Sequence, residues 1–95
     1  MYLRITRGRF DPARYDELLP LSQEVNGAVQ ALPGCQSVYS GLDRAAGRLG
    51  VASTWDTAEH ANFSRETAGA LGEVVRRTQA IGVQLEAAEI YEIVT

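Results

Sequence analysis

The stretch LPGCQSVYSGLDRAAGRLGVASTWD, residues 32–56, decides how the rest of the chain has to be arranged. Pro33-Gly34 cannot continue a helix, because proline lacks the amide hydrogen and glycine favours the left-handed exit from a helix end. Two alternating runs follow, about Gln36 to Asp43 and about Arg48 to Asp56, with Ala46-Gly47 as the turn between them. The pattern predicts a helix that stops and runs directly into a β-hairpin.

Towards the N-terminus, Tyr15, Leu18, Leu21, Val25, Ala28, Val29 and Leu32 recur at spacings of three and four and draw one apolar stripe. The stripe passes Pro20, where a kink is expected. Asp11-Pro12 supplies a capping carboxylate and a proline at the first helical position, where its missing N–H does no harm. Before it, Tyr2 to Phe10 alternates, with Leu3 and Ile5 assigned to one face and Tyr2, Arg4 and Thr6 to the other. Towards the C-terminus, Thr57 can cap a short helical segment through Ala58, Glu59 and Ala61. A second amphipathic helix then places Ala68, Leu71, Val74, Val75, Thr78 and Ile81 on one face and ends at Gly82. The last run, about Gln84 to Val94, reads as a strand with Leu85, Ala87, Glu89, Tyr91 and Ile93 on one side.

The resulting order, β-α-β-β-α-β, predicts one domain over residues 1–95. Its fold class is α+β, a ferredoxin-like sandwich of a four-stranded antiparallel sheet with two helices on one face. Helices on one side leave the other side bare. Tyr2, Arg4, Thr6, Tyr39, Ala52, Thr54, Ala87, Tyr91 and Ile93 are assigned to it, a mixed aromatic and apolar surface whose natural cover is a second copy of the chain. Arg4 and Glu89, on paired strands of that face, are candidates for an ion pair that fixes dimer register or for a clamp on an acidic ligand.

The 95 residues carry a net charge of −3, and all nine cations are scattered arginines, so no nucleic-acid partner is expected. Cys35 is the lone cysteine and cannot close an intrachain disulfide, which fits a reducing cytoplasm. It also lacks a neighbouring base that would make it a nucleophile. The opening MYLRITRGRF is too charged and too alternating for a signal peptide, and no apolar run approaches the roughly 20 residues of a membrane span. A single histidine, His60, sets no metal site, and the glycines form neither a phosphate-binding loop nor a dinucleotide fingerprint.

The helix exit Leu32-Pro33-Gly34-Cys35, the strand end Val51-Ala52-Ser53-Thr54-Trp55-Asp56, the following Thr57-Ala58-Glu59-His60-Ala61 and the closing Ala88-Glu89-Ile90-Tyr91-Glu92-Ile93 together carry a resemblance. Over nearly its whole length the chain resembles the antibiotic biosynthesis monooxygenase (ABM) type of dimeric α/β-barrel. The resemblance implies a homodimer with its two sheets face to face, and in each subunit a pocket between the sheet and its helices. It further implies an oxidoreductase activity, the cofactor-independent oxygenation of a hydrophobic aromatic small molecule; the alternative is a non-catalytic dimeric module that binds a ligand or serves structure. Quinone-forming members use an asparagine four residues before the tryptophan and a tyrosine six after it, where this chain has Val51 and Ala61. Haem-degrading members use an asparagine and a histidine where it has Thr6 and Ser64, so neither haem nor any other cofactor is expected. The expected pocket residues are Trp55, Phe63, Val51, Ser53 and Leu18, with Asn62 and His60 at the mouth. Trp55 is either a pocket wall or a core anchor, and Tyr2, Tyr39 and Tyr91 either dimer contacts or ligand partners.

Overall fold

In a computed structural model, which describes residues 1–66 and 69–95, the chain follows the expected order with a few local departures. Strand β1 spans Tyr2–Arg9, helix α1 Tyr15–Gln30, strands β2 and β3 Cys35–Asp43 and Arg48–Trp55, and helices α2 and α3 Ala58–Ala61 and Ala70–Ala80. Two short strands, β4 at Gln84–Leu85 and β5 at Glu89–Glu92, complete the chain. All pairings are antiparallel, in the order β2-β3-β1-β4, with β5 also on β1. The sheet is open, and both core clusters lie on the one face that α1 and α3 cover.

Local chemistry explains the boundaries. The Asp11 carboxylate accepts the Ala13 amide at 2.9 Å, and a single 3-10 turn over Pro12–Arg14 leads into α1. That helix runs on through Pro20, which is exposed and removes only one backbone hydrogen bond. Thr57 Oγ1 accepts the His60 amide at 3.1 Å and caps the single turn of α2. On α3, Val74, Val75 and Thr78 are buried along the predicted stripe, whereas Ala68 of that stripe lies outside the described residues.

The β2–β3 turn needs a glycine. Gly47 has φ +66°, and a Cβ there would sit 2.5 Å from the Phe10 carbonyl oxygen. Asp43 holds the same turn: its carboxylate accepts the Ala46 amide at 3.1 Å and Arg48 Nη2 at 3.1 Å. These bonds, the backbone one foremost, hold the Asp43 carboxyl below its ordinary range. A carboxyl depressed in the folded state adds stability above its unfolded value near pH 4 that disappears as pH falls through its folded value. Thermal melts should therefore show Asp43→Asn less stable than wild type at pH 7, with the gap closing as pH falls below the folded value. A gap that stays constant with pH would mean that the carboxylate charge is not what holds the turn.

The last run is not one strand. Leu85 lies opposite Gly8 and Glu89 opposite Ile5, so the C-terminal segment advances four residues while β1 advances three. This one-residue bulge turns Leu85 into the core and Glu89 to the open face, correcting the expectation that both share a side. Gly8 makes the approach possible, since a Cβ there would meet the Gln84 carbonyl oxygen at 2.6 Å.

The larger correction concerns β1. Arg4 faces Ser53, Thr6 faces Val51 and Tyr2 faces Trp55 across the β1–β3 ladder. Arg4, Thr6, Ser53 and Trp55 are buried, so this is the helix-covered face. Tyr2, Arg4 and Thr6 therefore do not belong to the open face. That face carries Leu3 and Ile5 beside Thr54 and Ala52, with Tyr39 and Tyr91 on the flanking strands. The expected Arg4–Glu89 pair is absent as well, because Arg4 lies opposite Ile90 and Glu89 pairs with Arg7.

Candidate functional site

Between the covered sheet face and the two long helices lies an apolar cavity of about 70 Å³. Leu18 and Val25 of α1, Val51 and Ser53 of β3, and Leu71 and Val75 of α3 form its walls. Phe63 and Arg65, in the segment between α2 and α3, also line it.

Arg4 introduces charge into this apolar setting. It is 5% exposed and lines the cavity. Its Nη1 donates to the carbonyl oxygens of Ala61 at 2.8 Å and Phe63 at 2.9 Å, and its guanidinium carbon sits 3.7 Å from the centre of the Phe63 ring. Among the described residues no carboxylate pairs with it. Loss of hydration on burial, with a smaller repulsion from Arg65, lowers its pKa to about 10, so it remains a cation at neutral pH. Thr6 and Ser53 bring hydroxyls to the same face.

The structure brings together Leu18, Val51, Ser53 and Phe63 of the expected pocket. Trp55 lies one layer behind them. It is fully enclosed, its Nε1–H donates to Ser53 Oγ at 2.8 Å, and its ring centre is 5.1 Å from that of Phe63. Trp55 thus buttresses the wall and leaves the lining to Phe63. His60 and Asn62 stand apart from the cavity, because the single turn of α2 turns Ala61 inward and the other two outward. His60 Nδ1 instead meets the Asp56 carboxylate at 2.7 Å, against Gly34, and this bond draws the Asp56 carboxyl down.

Sequence reasoning missed Arg4, Thr6 and Arg65 as lining residues. Gly8 and Phe10 carried the signal for the first two. Gly8 on β1 and Phe10 just beyond its end continue the two-residue period of Arg4 and Thr6, and both are buried.

The described residues offer no other centre of chemistry. They hold no group of three metal-ligating side chains, and burial pushes the Cys35 thiol up, away from the thiolate a nucleophile needs. No described helix is long and apolar enough to cross a membrane.

The fold is of the ABM type. A protein solved as an antibiotic biosynthesis monooxygenase superposes with a TM-score of 0.79 at 16% identity, covering 100% of both chains. A proposed antibiotic biosynthesis monooxygenase from Deinococcus radiodurans reaches 0.80 at 14% identity, over 100% of this chain and 94% of its own. Another from Nitrosomonas europaea gives 0.76 at 17% identity, again with 100% of both chains covered. At such identities the likeness is one of architecture. No protein-family model matches the sequence, and no curated protein matches it either.

Proposed function

We propose that the protein is a cytoplasmic homodimer whose sheet–helix cavity binds a hydrophobic aromatic small molecule and oxygenates it without a resident cofactor. The observation that carries this reading is the cavity itself, walled by aliphatic and aromatic side chains between the sheet and its helices, where the family resemblance leads one to expect a pocket. Its 70 Å³ is below the roughly 150 Å³ that accepts a benzene ring, so half-buried wall residues such as Leu42, Leu49 and Leu85 have to part to admit a ligand. The second copy would cover the open face, where Tyr39 and Tyr91 are 72% and 48% exposed beside the half-buried Leu3 and Ile5.

The described lining contains arginines and hydroxyls but no carboxylate, imidazole or thiol that could take a proton. Substrate must then be acidic enough to ionise by itself and supply electrons to O2 from its own ring. With 1-naphthol the balance is one naphthol and one O2 giving 1,4-naphthoquinone and one water: one oxygen atom is bonded to ring carbon 4, and the other leaves as water with the C4 hydrogen and the hydroxyl hydrogen. The protein would contribute desolvation and orientation.

A non-catalytic ligand-binding module is the second reading, favoured by Val51 and Ala61 at positions where they offer no hydrogen-bonding side chain. Oxygen-electrode assays with 1-naphthol in chelator-treated buffer separate the two. Saturable uptake, with oxygen-18 from O2 appearing in the quinone, is the expected result. Binding without uptake would leave the ligand-binding module.

A further inference from the structure

We propose that the ligand of this cavity carries an ionised oxygen on its apolar ring, and that Arg4 is the side chain that receives it. The inference rests on the cavity being the ligand site. Burying a cation away from water is costly unless it is paired, and the two carbonyl bonds of Arg4 involve only Nη1. Nε and Nη2 donate to none of the described residues, yet no side-chain nitrogen among them is sealed off without a partner. Arg4 is at the same time one of the residues that line the cavity.

The guanidinium is also fixed before any ligand arrives. The carbonyls of Ala61 and Phe63 hold one end and the Phe63 ring covers one face, so little rotamer entropy remains to be lost on binding. A planar fork of donors suits a carboxylate or a ring oxyanion, both of which accept charge-assisted hydrogen bonds. Ser53 adds a hydroxyl to the same lining, its oxygen accepting from Trp55 and its own hydrogen left to donate. Arg65 adds a second cation to the lining, and no acid there neutralises either one. An anionic head group on an apolar body satisfies every feature of the cavity at once. A neutral body leaves Arg4 with only the two carbonyls and the Phe63 ring as partners.

The test compares 4-ethylbenzoate with 4-ethylbenzamide, which share size and shape and differ in charge at pH 7. Both are titrated into the nitrogen-15-labelled full chain and followed through the amide resonances of Val51, Ser53 and Phe63. The expected result is that the carboxylate binds at least about tenfold more tightly, the scale of one charge-assisted contact. Arg4→Gln should abolish this preference, and Arg4→Lys should keep part of it. Equal affinities in wild type would overturn the role of Arg4 while leaving the cavity as the site. Failure of both probes to bind would overturn the site itself. If Arg4→Gln does not fold, the wild-type ratio alone decides.

Discussion

Trp55→Ala is expected to cost about 3–5 kcal/mol, which is a large part of the roughly 5–15 kcal/mol that holds a domain together. Trp55 is fully enclosed and packs with Val29 and Ala61, so truncation leaves a large void under α1 and α2. It also strands the oxygen of buried Ser53, which accepts the indole N–H. Trp55→Phe keeps most of the packing and should cost about 1–3 kcal/mol, the scale of a lost buried hydrogen bond plus a smaller ring. Urea melts of the three proteins check the order. Because Trp55 stands behind Phe63, the Phe variant should leave aromatic-ligand affinity within a few-fold of wild type. A Trp55→Phe protein with native stability and no binding would place the indole in the wall after all.

Leu18→Ala carries the second large effect, and it couples stability to ligand. Leu18 is 2% exposed, belongs to the main core cluster and lines the cavity. Its truncation should cost about 2–5 kcal/mol and enlarge the cavity by part of the removed side chain. The enlarged space should accept a benzene-sized ring more readily than wild type does. An aromatic ligand at one hundred times its Kd should then recover about 2.7 kcal/mol. Chemical denaturation with and without 4-ethylphenol measures both quantities. Destabilisation without rescue would mean that the space vacated by Leu18 collapses and is not continuous with the ligand cavity.

The helices and the hairpin were legible in the sequence because their signals are local. Pro33-Gly34, the Asp11-Pro12 start, the Thr57 cap and the stripe from Leu18 to Val29 each act within a few residues, and each stands where it was expected. The orientation of β1 was not, because the apolar set Leu3 and Ile5 competes with Arg4 and Thr6 for the core, and hydrophobicity favours the wrong pair. Phe10 and Gly8 break the tie, but only when the alternation is followed to the strand end. The bulge between Leu85 and Glu89 is equally silent in one strand read alone. Its parity change appears only against the partner strand.

The candidate site divides along the same line. Leu18, Val51, Ser53 and Phe63 were legible because strand and helix periodicity put them under α1 and beside Trp55. Arg4 was hidden, since a buried arginine is held by backbone carbonyls from a distant segment that no spacing rule anticipates. His60 and Asn62 were misplaced because four residues of α2 are too few for a helical phase to be read.

A crystal structure of the protein with 1-naphthol would decide the matter. The expected result is two copies with their open sheet faces together, and in each subunit one naphthol beneath α1 and α3, its oxygen at Arg4. A naphthol held on the outer surface, with the space between sheet and helices closed around Leu18 and Val51, would contradict it.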